Sequence, residues 1–371
     1  MSTKIRLGVL FGGRSGEHAV SLVSAQSVLE TLDRGKYHIT EIGITEEGNW
    51  LIGDRVLAAL REKELTALSP AVMLPVPSRP EVYSLKSLNG SEILEVFSEL
   101  DVIFPVLHGS FGEDGTIQGL FELNDLAYVG AGVLGSAVGM DKALFKDVMV
   151  ANQIPVVPSL LFQGSELEDM EGVLGQILDF GEFPIFVKPA NMGSSVGVHK
   201  CVDIEEAAQG IQDAARYDRR VLVEKAVNAR EIELSVLGNQ NPKASLPGEI
   251  RPAAEFYSYQ AKYHDVSSEL IIPAKLSQEQ VELLQDYALR AYRAIDCAGM
   301  ARADFLLDKE TGDIFLNEVN TIPGFTPISM YPKLWEASGL SYADLIDELI
   351  ELALERKKEK DQIIRKYEFE D

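Results

Sequence analysis

The sequence predicts a mixed α/β and α+β chain, opening with a parallel-type sheet and ending in antiparallel hairpins. Three observations carry this. Residues 4–13, KIRLGVLFGG, are apolar on both faces, end in glycines and lead into a helix carrying Val20, Val23, Ser27 and Val28. Further strands are expected at Ile39–Thr45 and Val102–Leu107, with another apolar stretch entering Tyr128-Val129. That strand–helix–strand rhythm builds an open sheet, with ligands expected at strand C-terminal ends, where Glu17 and His108 fall. Third, residues 302–325, RADFLLDKETGDIFLNEVNTIPGF, alternate as two strands joined by a polar turn.

In that last stretch Ala303, Phe305 and Leu307 alternate with Arg302, Asp304 and Leu306, and Glu318 and Asn320 share one face of the second strand. A hairpin closed over Asp308–Asp313 brings Asp304 opposite Glu318 and Arg302 near Asn320. Two carboxylates and a carboxamide beside a cation suit Mg²⁺, which prefers oxygen ligands and completes its shell with water and phosphate. The same alternation also fits a hairpin with one solvated face.

The 371 residues suffice for two or three compact domains. With 34 basic against 58 acidic residues, the formal charge of −24 argues against nucleic acid and anionic membrane as partners. An anionic substrate must then be met locally by lysines and metal. Two cysteines, Cys201 and Cys297, argue against a disulfide framework, and His199-x-Cys201 lacks further ligands for a metal site. No leader is expected before Ile5 and no apolar run is long enough to span a bilayer, so the cytosol is the expected location.

Along the chain, the Gly12-Gly13 turn lacks a Gly-Lys-Ser/Thr ending, which disfavours a P-loop. Gly130-Ala131-Gly132-Val133-Leu134-Gly135 matches G-x-G-x-x-G, but Ile154–Pro158 offers no acidic residue where a dinucleotide site requires one; a tight turn and close packing explain it. A helix is expected from about Met140 to Asn152, with Leu144, Val148 and Met149 inward and Pro155 and Pro158 at its exit. A strand at Phe183–Val187 enters Lys188–Gly197, a loop of small residues whose backbone N–H groups can hold phosphate beside Lys188. Hairpin turns use the same residues. Strands follow at Val221–Val227 and Arg230–Val236, the second with Glu231 and Glu233 on one face. Residues 247–275 form a long stretch with Phe256, Tyr257, Tyr259, Lys262, Tyr263 and His264, expected as an active-site lid. Ser277-x-x-Gln280 is a capping box opening a helix through Ile295, with Val281, Leu284, Ala288, Ala291 and Tyr292 inward. A final amphipathic helix starts near Tyr342 and is expected to dissolve into a solvated tail from Glu355.

Five segments occur in order: GGRSGEHAVSL, HGSFGEDGTIQG at 108–119, MDK at 140–142, FVKPANMGSSVGV at 186–198, and RADFLL with FLNEVNTIPGFT. Over roughly Lys4 to Arg356 the chain resembles the D-alanine–D-alanine ligases of the ATP-grasp family. The resemblance implies a Rossmann-like open α/β domain at 1–139, then a two-lobed ATP-grasp fold with a central lobe at 140–222 and a C-terminal lobe at 223–371. It implies ATP and two Mg²⁺ ions, replaceable by Mn²⁺, held by Asp304, Glu318 and Asn320. Lys142 and Lys188 would contact phosphates, with Ser195 in the loop folding over them. Glu224, Lys225, Ala226 and Val227 would frame adenine, and Glu231 the ribose. Glu17, with His108 nearby, would receive the ammonium of the first D-alanine. Arg302 and the Gly324 N–H would stabilise an oxyanion, while Lys262, Ser329 and Met330 would border the carboxylate of the second D-alanine. Glu17, Ser194 and Tyr263 match a trio linking substrate site to lid.

The resemblance further implies a homodimer acting in peptidoglycan precursor synthesis. The chain departs from the family pattern at Ala19, where glutamate is common, and at Met192, where a polar residue is frequent. Tyr263 favours an amine as second substrate, because relatives that make D-alanyl–D-lactate usually lack tyrosine there. An ester-forming ligase, another carboxylate–amine ligase and a regulator with a degenerate ATP site are the alternatives.

Overall fold

The computed structural model describes residues 4–77, 79–251, 269–326 and 328–364. The first sheet has eight strands: β1 (Ile5–Gly12), β2 (Tyr37–Ile44), β3 (Trp50–Ile52), β4 (Ser69–Met73), β5 (Glu81–Leu88), β6 (Ser91–Glu99), β7 (Val102–Val106) and β8 (Ala127–Tyr128). Their order is β6-β5-β4-β3-β2-β1-β7-β8. The half containing β2, β1, β7 and β8 is parallel, as expected from strands apolar on both faces. Leu7, Val9, Leu10 and Phe11 of β1 are all fully buried. The antiparallel extension β3 to β6 is not evident from sequence pattern, because β6 keeps Ile93, Leu94, Val96 and Phe97 exposed and so shows no polar face.

A second, four-stranded antiparallel sheet holds β9 (Ser159–Gln163), β10 (Ile185–Pro189), β11 (His199–Cys201) and β12 (Arg220–Lys225), in the order β11-β10-β12-β9. The third contains β13 (Ala229–Leu237), β14 (Lys243–Ala244), β15 (Gly248–Arg251), β16 (Glu269–Ile271), β17 (Met300–Asp308) and β18 (Ile314–Asn320). Its path is β16-β15-β13-β17-β18, with β14 on β13. The ends of the expected lid stretch are therefore strands, β15 and β16, paired antiparallel. Its aromatic centre, with Lys262 and Tyr263, lies outside the described residues.

Local signals hold where the physics is local. Ser277 Oγ accepts the Gln280 N–H while Gln280 returns a bond to the Ser277 N–H, so the helix Gln278–Ala294 begins at the capping box. Asp141 caps the helix Lys142–Ala151 by accepting the Leu144 N–H. The inward face of that helix differs from expectation. Met149 is buried, but Leu144 is exposed, and Ala143, Phe145 and Lys146 point inward. The helix is wedged between two cores: Ala143 packs with Ala190 and Leu222, and Phe145 and Met149 pack against the third sheet. The glycine-rich 130–135 stretch is a packing device: a Cβ on Gly135 would lie 3.0 Å from the Asp296 carbonyl oxygen.

The chain end also differs. The helix Tyr342–Asp361 continues past Glu355 and docks on the first sheet rather than dissolving into solvent. Leu345, Ile346, Leu349 and Ile350 share a core with Val102, Phe104 and Val129. Arg356 donates to the Gly130 and Tyr128 carbonyls, with its guanidinium 4.2 Å from the Tyr128 ring centroid, and Lys360 pairs with Glu122. The charge run Glu355–Lys360 encodes neither partner, because both arise from residues more than two hundred positions earlier.

Candidate active site

Strand pairing in the third sheet lines up oxygen ligands in rows. Asp304 of β17 lies opposite Glu318 of β18 on one side and Glu233 of β13 on the other. In the next row Arg302 stands between Asn320 and Ser235. The register expected from alternation is the register observed, with a bulge beyond Asp304 that leaves those pairings intact. Arg302 donates Nε to Asp304 Oδ1 at 2.7 Å and Nη2 to Oδ2 at 2.6 Å, and Nε lies 2.9 Å from Glu233 Oε2. Burial works against its charge, but Asp304 and then Glu233 outweigh it and hold the guanidinium pKa well above its ordinary value.

Asn320 Nδ2 donates to Asp304 Oδ2 at 2.9 Å. Among the described residues no three Asp, Glu, His or Cys side chains group closely enough to hold a metal by themselves. Asp304, Glu318 and Asn320 still form an all-oxygen donor set on adjacent strands, the chemistry of a hard dication whose other ligands are water and phosphate. The set fits such an ion, which would share Asp304 with Arg302.

The elements around the first sheet bring a second set of carboxylates, Glu17 and Glu113. Glu17 sits at the start of the helix His18–Thr31 and is buried. A Cβ added to Gly109 would fall 2.6 Å from Glu17 Oε2, and one added to Gly193 would fall 2.9 Å from it. Glycine at both positions lets the turn after β7 and the 188–197 loop close onto this carboxylate. Ser194 and Ser195 in that loop have positive φ, 52° and 57°, and Ser194 Oγ is buried with no hydrogen-bond partner among the described residues. Tyr263, the third member of the expected trio, lies outside the described residues, as does Lys262.

His108 is buried with both ring nitrogens engaged, Nε2 with Ser24 Oγ at 3.0 Å and Nδ1 with the Ile322 carbonyl at 3.1 Å. The Ile322 carbonyl can only accept, so Nδ1 carries the proton and Nε2 accepts from Ser24 Oγ, which itself accepts the Phe325 N–H at 3.3 Å. Burial draws the His108 pKa below the ordinary imidazole value, with Glu17 opposing. This neutral imidazole ties the loop after β18 to the first helix, and with it Gly324. A Cβ on Gly324 would lie 2.8 Å from Ser329 Oγ, which already accepts the Thr326 N–H at 3.0 Å. Ser329 and Met330 begin the helix Met330–Ala337. The Met330 side chain is buried with Ile250 and Leu334, which leaves its backbone, at a helix N-terminus, as the part able to meet a carboxylate.

Lysines line the other wall. Lys142, the first residue of its helix, donates Nζ to the Met192 carbonyl at 2.7 Å, joining helix and loop. Lys188 of β10 pairs with Glu224 Oε2, and Lys146 lies 3.0 Å from Glu224 Oε1. Beyond Glu224 the N–H groups of Lys225 and Ala226 go to the Pro158 and Pro184 carbonyls, and Val227 follows. Glu231 sits on β13 one pair along from Glu233, opposite Leu306.

Three site residues escape sequence reasoning: Glu113, Lys146 and Glu233. Glu233 shows in the sequence only as alternation with Glu231, and nothing in the sequence singles out Lys146 or Glu113. Glu113 Oε2 accepts the Gly109 N–H at 2.6 Å and Oε1 the Ile322 N–H at 3.3 Å, joining the two loops that carry Glu17's neighbour and Gly324. Burial, then the charge of Glu17, push its pKa up to about 8. The folded protein therefore keeps a proton that the unfolded chain releases near 4.5. Stability from this group is full below that value and drains as pH rises toward 8. We expect Glu113→Gln to flatten the fall in melting temperature between about pH 5 and about pH 8, measured against wild type; parallel curves would show that Glu113 is ionised throughout.

Two antiparallel sheets, one carrying a lysine-bearing glycine loop and the other an oxygen-ligand hairpin, define an ATP-grasp enzyme. Comparison with known proteins narrows this. The family description "D-ala D-ala ligase N-terminus" matches residues 6–131, and "D-ala D-ala ligase C-terminus" matches residues 148–351. A D-alanine–D-alanine ligase from Heliobacterium modesticaldum is 48% identical over 358 residues, 96% of each chain. The solved D-alanine–D-alanine ligase of Coxiella burnetii superposes with a TM-score of 0.83 at 38% identity, covering 97% of this chain and 96% of that one. The VanG D-Ala:D-Ser ligase of Enterococcus faecalis gives a TM-score of 0.84 at 34% identity, covering 95% and 100%. The chain belongs to the D-alanine–D-alanine ligase family.

Proposed function

We propose that this enzyme joins two D-alanine molecules at the expense of ATP, through an acyl-phosphate intermediate, and so supplies peptidoglycan precursor synthesis. The observation that carries the reading is the row Glu233–Asp304–Glu318 with Arg302 and Asn320 beside it. In this reading residues 1–139 take the first D-alanine, and residues 140–222 and 223–371 close on the nucleotide. Asp304, Glu318 and Asn320 would hold Mg²⁺, for which Mn²⁺ could substitute. When bound there, the ion would offset the repulsion between an attacking carboxylate and the γ-phosphate.

The chain's own groups do the rest. Lys142 and Lys188 meet phosphate oxygens, and the loop bearing Ser195 covers them. The segment from Glu224 to Val227 borders adenine, with Glu231 on the ribose. Glu17 takes the ammonium of the first D-alanine and, with Ser194 and Tyr263, links that site to the stretch closing over it. Neutral His108 positions the Gly324 loop, so that its N–H and Arg302 face the developing oxyanion. Lys262, Ser329 and the Met330 backbone receive the second carboxylate. Closure matters because an acyl phosphate exposed to water hydrolyses. The acidic composition argues against nucleic-acid and anionic-membrane partners, and the family resemblance supports a cytosolic homodimer.

D-serine as second substrate is the reading favoured next, because the VanG D-Ala:D-Ser ligase is so close in structure. ADP release with D-alanine alone, and with D-alanine plus D-serine or D-lactate, decides. Turnover on D-alanine alone with formation of the dipeptide supports the proposal. Turnover only with an added second substrate reassigns the specificity, and no ADP release in any arm removes the ligase reading.

A further inference from the structure

Lys146 has no place in the chemistry above, yet it is one of the most deeply buried charges in the protein. Its side chain is 5% exposed, and that of its partner Glu224 is 4% exposed. Lys146 Nζ lies 3.0 Å from Glu224 Oε1 and donates to the Val157 carbonyl at 2.9 Å. Glu224 Oε2 is held by Lys188, which is more open, its side chain 13% exposed. One buried carboxylate is thus shared by two lysines, one per oxygen. Burial pushes the Glu224 pKa up, but Lys188 and then Lys146 outweigh it and leave it lowered, so the carboxylate is ionised. Burial draws the Lys146 pKa below its ordinary value, with Glu224 opposing, and the ionised Glu224 at 3.0 Å is the partner that favours its charged form. Lys146 lies one helical turn after Lys142, whose Nζ holds the phosphate loop at Met192. A single helix therefore sends one cation to the loop and another to Glu224.

Two cations on one carboxylate are more than neutrality needs. A buried carboxylate deprived of its only cation is strongly destabilised, whereas one keeping a second cation is not. We propose that Lys146 is a positioning residue for nucleotide binding: it keeps Glu224 balanced so that Lys188 can exchange Glu224 for a phosphate oxygen. The geometry makes Lys188 a cation held in reserve, with Lys146 setting how readily it is released. This rests on the reading of Lys188 as a phosphate contact.

In Lys146→Met, Glu224 has Lys188 as its one remaining lysine, and moving Lys188 strands the carboxylate. Titration calorimetry of the full-length protein with ADP and Mg²⁺ should then show Kd raised about ten- to hundredfold. The D-alanine KM should stay within about twofold, a split that a general loss of structure would not produce. In a Glu224→Gln background, where no carboxylate remains to be stranded, adding Lys146→Met should change Kd by less than about twofold. That comparison also decides the matter if Lys146→Met alone does not fold. A lowered melting temperature with unchanged Kd in Lys146→Met, or a further tenfold or greater weakening in the double variant, overturns the proposal. Lys188→Ala separates the two levels. Wild-type ADP affinity in Lys188→Ala removes the phosphate reading and the exchange with it. Weakened affinity there, beside normal affinity in Lys146→Met, removes the role of Lys146 alone.

Discussion

Replacing Arg302 with alanine is expected to lower kcat by about 10²–10³ or more, the loss typical of removing one oxyanion donor. The geometry argues for the upper part of that range. Arg302 is the forked partner of Asp304 and lies 2.9 Å from Glu233, so its removal leaves two carboxylates facing each other across neighbouring strands. Removing one partner of a buried ion pair costs about 3–5 kcal/mol, so a fall in melting temperature should accompany the loss of turnover. Lysine at this position restores a charge but not the fork, and should recover stability more than rate. Steady-state ADP release together with thermal unfolding checks both effects; near-normal turnover in Arg302→Ala would take this residue out of the chemistry.

Asp304→Asn is expected to lose activity by about 10²-fold or more, with a sharply raised requirement for Mg²⁺. This one carboxylate has three tasks. It accepts both arms of Arg302, accepts the Asn320 amide, and stands opposite Glu318. An amide keeps the shape but supplies a single neutral oxygen, so both metal affinity and the hold on Arg302 weaken together. Turnover followed against Mg²⁺ concentration measures the shift. An unchanged Mg²⁺ midpoint would mean the ion sits elsewhere, whatever happens to the rate.

Much of this site was legible because the physics that builds it is local. Alternation with a period of two sets the facing residues of β17 and β18, and closing the turn over Asp308–Asp313 places Asp304 against Glu318. The capping box at Ser277 and the cap at Asp141 are likewise short-range hydrogen bonds between neighbours in sequence. The glycines at 109 and 193 could be noticed but not interpreted, because what each avoids is a carboxylate from a different part of the chain.

Taken alone, the sequence determined the open sheet at the N-terminus, the register of the hairpin that sets Asp304 against Glu318, the loop after Lys188 and the family to which they belong. Tertiary structure alone decided that Lys146 and Lys188 share Glu224, that Glu113 latches two loops, and that the last helix docks through Arg356 instead of fraying. The division has one cause. Spacing records which face a residue takes within its own element, whereas the partner and the pKa of a buried charge depend on segments that meet only when the chain has folded.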